Sequence, residues 1–428
     1  MMVIHVVSEG ETVFSIARQY GVSETLLRRQ NLVPENGQLV VGQTLVILFP
    51  ALVHTVSEGD TLFSISQQYG ISVRELYQNN YFLLGQDTLA IGEEIVVEMA
   101  GERSETFGVN GYAYPFISPA LLRQELPYLS YLTPFTYGIT VEGNLVPLGD
   151  EALLSEAQNY EVQSWMHLST LTEEGNFSPQ RAAEILTDPV RQELLIAEVI
   201  ANMQNKGYGA LDVDFEFLGA ELAQAYADFI TRLRSQLNPL GYPVIVALAP
   251  KTYAQQPGVL YEGHDYAALG SAADAVLLMT YEWGYTYGPP MAVAPLPQVR
   301  QVLEYALTEI PPEKIFLGFP TYGYDWPLPY ERGVTKAESL SPEQALTLAR
   351  NYGVAIQYDE VSQAPFFRYL AEDGREHEVW FEDARSAQAK LELAAENRLQ
   401  GLGLWNLMRQ FPQFYLLLNA QYNIALAT

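Results

Sequence analysis

From residue 106 onward, short runs of apolar residues alternate with stretches whose apolar positions recur every three or four residues. The runs begin at Phe107 (FGVNGYAY), Leu129 (LSYLTPFTYGIT), Val162 (VQSWMHLS), Leu211 (LDVDFEF), Pro243 (PVIVALAP), Ala275 (AVLLMTYEW), Ile315 (IFLGFPTYG) and Gly401 (GLGLWNL). Several are continuously apolar, the pattern of strands buried on both faces of a parallel sheet. Between them Ser178-Pro179 and Asp188-Pro189 each place an N-cap before a proline at the first helical position. Leu195, Val199 and Met203 then recur at four, and Gly207 closes that helix. Further helices fit 220–237, 296–309 and 383–399. Eight strands alternating with helices predict an α/β fold, a TIM-type (β/α)8 barrel. A segment at 327–382 interrupts the seventh unit. It holds a helix after Ser341-Pro342 and a hairpin turning at Asp373-Gly374, so it reads as a small α+β insertion walling a cleft.

The first hundred residues follow another pattern, and it occurs twice. HVVSEGETVFSIARQYGVSETLLRRQN from His5 aligns with HTVSEGDTLFSISQQYGISVRELYQNN from His54, and each copy ends in a glycine and an apolar strand. The spacing predicts strand–helix–helix–strand. Thr12 and Thr61 cap the first helix of each copy, Gly21 and Gly70 end it, and Ser72 with Glu75 forms a capping box for the next. Phe14, Ile16 and Tyr20, with Phe63, Ile65 and Tyr69, are expected to point inward. The chain thus divides into modules at 1–49 and 50–99 and a barrel domain at 100–428.

On the fourth barrel strand Asp212, Asp214 and Glu216 occupy alternate positions, with Leu211, Val213, Phe215 and Phe217 between them. A strand sends successive side chains to opposite faces, so one face carries three carboxylates in file. Each disfavours ionisation of the next, an arrangement that does nothing for stability. A solvated acidic face of an antiparallel sheet is the alternative; a parallel barrel, whose active site lies at the carboxyl ends of its strands, favours chemistry.

Composition narrows the partners. With 428 residues, 48% hydrophobic and 17% charged, the chain has ample length for a large core. Its 51 acidic and 23 basic residues leave a net charge of −28, which repels nucleic acid and gives no attraction to an anionic membrane. No cysteine is present, and the five histidines are scattered without metal-ligand spacing, so no metal and no cofactor are expected. The start lacks the basic and apolar regions of a signal peptide, and no apolar run is long enough to span a bilayer.

The repeated module resembles LysM, a family that binds N-acetylglucosamine-containing glycans. That resemblance implies a ligand groove in each copy, at Gly10, Thr12 and Asn31 and at Gly59, Thr61 and Asn80. The barrel resembles glycoside hydrolase family 18. The family's D-G-x-D-x-D-x-E corresponds to the stretch from Gly209 to Glu216, with Gly209 and Ala210 in place of the first aspartate and glycine. MTYEWG from Met279, GFPTYG from Gly318 and Trp405 in GLGLWNL fit the strand ends of that family, whereas its S-x-G-G on strand three is absent. Together the parts look like bacterial spore cortex-fragment-lytic N-acetylglucosaminidases. The resemblance implies substrate-assisted cleavage of β-1,4 bonds, with Glu216, Asp214, Asp212 and Tyr281 catalytic and Trp405 under the sugar. Glu282, Tyr322, Asp325 and Trp326 are further candidates for substrate contact. The expected partner is peptidoglycan or another N-acetylglucosamine-containing glycan, met by a monomer associated with the spore or cell wall. A chitinase, and a non-catalytic chitinase-like lectin, remain as alternatives.

Overall fold

A computed structural model describes residues 2–83 and 88–427. The eight apolar runs form eight parallel strands: β1 (Thr106–Ala113), β2 (Tyr131–Pro134), β3 (Gln163–Ser169), β4 (Ala210–Asp214), β5 (Val244–Leu248), β6 (Ala275–Leu278), β7 (Ile315–Pro320) and β8 (Gly401–Trp405). Each pairs with the next, and β8 pairs with β1, so the sheet closes into a TIM barrel. Alternation sorts the side chains of β4. Leu211 and Val213 point outward into the main core beneath the helices, and Ala210 points inward beside Trp165 and Phe316. Trp165 stacks on Tyr131 with centroids 4.1 Å apart, filling the barrel below the acids. Asp212 therefore sits one inward position above a closed floor, level with His167 of β3.

Local signals set the entry to β4. The Asp188 carboxylate accepts from the backbone N–H groups of Val190 and Arg191 at the start of helix Pro189–Lys206, and Gly207 ends that helix at φ 77°. That left-handed conformation suits glycine and turns the chain into β4. After β7 the chain enters a five-stranded antiparallel sheet (Gly323–Pro327, Glu338–Leu340, Gln357–Asp359, Ala364–Leu370 and Glu376–Trp380) with one helix, Pro342–Tyr352. The sheet begins at Gly323, a few residues ahead of the expected 327.

Each N-terminal module is a two-stranded antiparallel sheet carrying two helices: Met2–Val6 with Thr44–Leu48, and Pro50–Thr55 with Glu94–Met99. Thr12 and Thr61 cap their helices by accepting from the Ser15 and Ser64 N–H groups. Phe14 and Phe63 do not face inward; they are 59% and 67% exposed. Val13, Ile16 and Ala17 take the buried stripe of the first helix, and Phe14 falls one position off it.

Asn31 and Asn80 also differ from expectation. The Asn80 Nδ2 group donates to the Leu76 and Val96 carbonyls at 2.8 Å each, and its Oδ1 accepts from the Val96 N–H at 2.8 Å. Asn31 makes the same three bonds to Leu27 and Val46. Both side chains are buried clasps between the second helix and the closing strand, with both amide protons and one carbonyl lone pair already engaged. Replacing Asn80 by Ala orphans backbone groups of Val96, each costing about 1–3 kcal/mol. We expect a loss of roughly 2–4 kcal/mol for the second module, measurable by denaturant unfolding.

Both modules lie along the barrel flank formed by the last helix, Pro412–Gln421. Gln413 exchanges hydrogen bonds with Thr44 of the first module, and Asn419 donates to the Gln78 carbonyl and the Asn79 side chain of the second. The Arg74 guanidinium donates to the Pro127 carbonyl at 2.9 Å and the Leu129 carbonyl at 2.5 Å. Among the described residues, no helix is long and apolar enough to cross a membrane.

Candidate active site

Asp212, Asp214 and Glu216 climb one line from inside the barrel to its mouth: the two aspartates are buried and Glu216, two residues past β4, is half-buried. Burial raises all three carboxyls. Asp212 reaches about 7, although a 2.7 Å hydrogen bond from the Tyr112 hydroxyl opposes the rise. Asp214 is raised well above the carboxylate range, first by burial and then by the charges of Glu216 and Asp212. Glu216 is raised by burial alone. Stacked acids of this kind cannot all ionise, so the file holds protons near neutral pH. The Oδ1 atoms of both aspartates are buried without a hydrogen-bond partner among the described residues.

Aromatic rings wall the acids. Tyr281, just past β6, lies parallel to Trp405 at 6.4 Å between centroids. Trp405 in turn meets Phe135 at 4.9 Å, Tyr112 at 5.7 Å and Tyr114 at 6.3 Å. Burial, reinforced by the charges of Asp214, Glu216 and Asp212, keeps the Tyr281 phenol protonated and therefore a hydrogen-bond donor.

On the rim, Glu282 accepts from the Tyr322 hydroxyl and, at 3.0 Å, from that of Tyr324. The remaining two candidates are not brought to the cleft. Strand Gly323–Pro327 alternates: Tyr324 and Trp326 face one way and Asp325 the other. Asp325 accepts from Tyr369 at 2.6 Å and meets His377 Nδ1 at 2.8 Å, across the insertion sheet. Trp326 is fully buried and its indole N–H donates to the Gly288 carbonyl at 2.8 Å. It braces the loop that follows Glu282 and cannot meet a sugar.

Four residues that no sequence motif marks complete the centre. Tyr112 on β1 faces the acids from across the barrel and His167 flanks them from the neighbouring β3, while Phe135 with Tyr114 extends the aromatic wall. Tyr112 on β1 and Tyr114, one residue past its end, share the alternation of inward positions, a signal that marks a face without saying what it faces. In the N-terminal modules, Glu11 and Asp60 each accept from a backbone N–H (Ser8 and Ser57) and contact a histidine (His5 and His54), pinning the loops that carry Gly10 and Gly59. Those glycines adopt φ 80° and 89°, and Thr12 and Thr61 stay exposed beside them.

Comparison with known proteins identifies the family of the barrel and of the modules. The model of the glycosyl hydrolases family 18 matches residues 156–409, and that of the LysM domain matches residues 5–48 and 54–98. The chain is 42% identical over 435 residues to the cortical fragment-lytic enzyme of Bacillus subtilis (strain 168), spanning 100% of both. It superposes on the spore cortex-lytic enzyme SleL of Bacillus megaterium QM B1551 with a TM-score of 0.83 and 38% identity, covering 99% of this chain and 98% of that one. For the Bacillus cereus SleL the TM-score is 0.84 and the identity 34%, with the same coverage.

Proposed function

The chain belongs to the family 18 glycosyl hydrolases, with two LysM domains, and on that premise we propose that it hydrolyses spore-cortex peptidoglycan at N-acetylglucosaminyl β-1,4 bonds. The observation that carries the reading is the ascending file of protonatable acids beside a donor phenol and an aromatic wall, on a barrel flanked by two glycan-binding modules. The names of its relatives, cortical fragment-lytic and spore cortex-lytic enzymes, favour cortex over chitin as the substrate. They also favour action at the spore wall.

In this mechanism Glu216, protonated through burial, gives its proton to the glycosidic oxygen as the C1–O bond breaks. The carbonyl oxygen of the sugar's own 2-acetamido group forms the new bond to C1, giving an oxazolinium ion, as in the substrate-assisted exceptions among glycosidases. Tyr281 donates to that oxygen and aims it. Asp214 accepts from the acetamide N–H and stabilises the positive charge as it grows, while Asp212 holds the proton that the pair shares. Glu216, now ionised, takes a proton from water, which attacks C1 and releases the acetamide. Two inversions give net retention. Trp405 forms the floor under the reacting sugar. For Glu282 and Tyr322, hydrogen-bonded to one another at the rim, we propose a contact with a substrate hydroxyl. Gly10, Thr12, Gly59 and Thr61 mark the proposed glycan grooves of the modules.

Mass spectrometry of digested cortical fragments tests the bond specificity. Products ending in a reducing N-acetylglucosamine are expected, with chitotriose turned over more slowly. Products ending in reducing muramic acid, or a preference for chitotriose, would overturn the assignment.

A further inference from the structure

His167 has no part in the mechanism above, yet it is the polar group best placed to act on the aspartate pair. Its ring is buried on β3, level with Asp212 across the β3–β4 ladder. Nε2 lies 3.9 Å from Asp212 Oδ2 and 3.8 Å from Asp214 Oδ2, nearly equidistant. On the other side Nδ1 is 2.6 Å from the Thr136 hydroxyl, and Phe135 and Tyr112 pack the ring at 4.8 and 5.7 Å. Burial pushes the imidazole down to about 3, so it is neutral and one nitrogen alone carries a proton. Which one follows from what faces it. Nε2 looks at two carboxyls that carry negative charge; Nδ1 looks at the Thr136 hydroxyl, which is nearer to it than to the Tyr137 carbonyl and the Ser169 hydroxyl, both at 3.0 Å, and can donate to it. The N–H therefore belongs on Nε2.

We propose that His167 is a positioning residue for hydrolysis: its Nε2–H, held by Thr136, points between Asp212 and Asp214 and stabilises the pair as a monoanion. The donor lies just beyond hydrogen-bond range of both, so a small rotation of either carboxylate reaches it, and the charge can pass from one aspartate to the other without losing its partner. This complements Tyr112, which serves Asp212 alone. The groups around the ring are Tyr112 from β1, Thr136 after β2, Ser169 further along β3, and Asp212 and Asp214 from β4, with Glu216 and Tyr281 beyond. Among these, only the acids change charge near neutral pH. Losing the donor should therefore make the pair harder to ionise.

The inference rests on the hydrolytic reading above, and its test separates the two. The pH dependence of kcat is measured for the full-length wild type, His167→Leu, His167→Gln and Thr136→Val, with Glu216→Gln as control. His167→Leu is expected to shift the acid limb upward by about one pH unit and lower kcat more than it changes KM. His167→Gln, which keeps an N–H, should restore most of the limb. Thr136→Val should move it the same way as Leu, by less, and it retains the ring should His167→Leu fail to fold. A lower kcat with an unmoved acid limb in the Leu and Val variants would overturn the role of His167 and leave the hydrolytic reading intact. An active Glu216→Gln control would instead strike at that reading.

Discussion

Glu216→Gln is expected to lower kcat on cortical fragments by about 10³–10⁴-fold, near the upper end of what one general acid supplies, while binding changes little. The amide has the shape of the acid and can still donate a hydrogen bond, so the half-buried site past β4 should tolerate it and the fold should hold. What it lacks is a transferable proton. The departing sugar would leave as an alkoxide, and the second step would lose the base that activates water. A nitrophenyl glycoside, whose leaving group needs little protonation, should lose far less in its first step than the natural substrate. Steady-state kinetics on both substrates, with glycan binding measured separately, checks the pattern. Equal losses on both would mean that Glu216 acts by placement or charge, without giving a proton.

The parts of this molecule that could be read from its sequence are those governed by period. The eight apolar runs, the Ser178-Pro179 and Asp188-Pro189 caps and the turn at Asp373-Gly374 all appear where their spacing places them. Asp212 and Asp214 were legible for the same reason: two-residue alternation on β4 puts both on the inner face. Period says nothing about who sits opposite. His167 and Tyr112 belong to strands whose sequences look like ordinary barrel core: His167 meets the acids through the register of β3 against β4, and Tyr112 only because closure of the sheet brings β1 round to face β4. Asn31 and Asn80 went astray differently. The resemblance to LysM implies a ligand contact there by position, but a buried amide is first claimed by nearby backbone groups that would otherwise be orphaned. Trp326 shows the same limit. Its alternation with Asp325 was visible, but which face met the insertion core and which met the loop after Glu282 depended on a sheet assembled from distant segments.

Attack on C1 by the substrate's acetamide oxygen, in place of an enzyme carboxylate, makes turnover depend on that group. Turnover of one oligosaccharide carrying N-acetyl at the cleaved sugar should be compared with turnover of the same chain bearing N-trifluoroacetyl or a free amine. The fluorinated amide keeps the N–H and the size but drains electron density from the carbonyl oxygen, which separates loss of the nucleophile from the charge that a free amine adds. Intramolecular attack in a well-oriented pair is worth an effective concentration of about 10⁵ M or more. Substrate assistance therefore requires kcat to fall by at least about 10³-fold for both analogues; cleavage of all three at similar rates would contradict it.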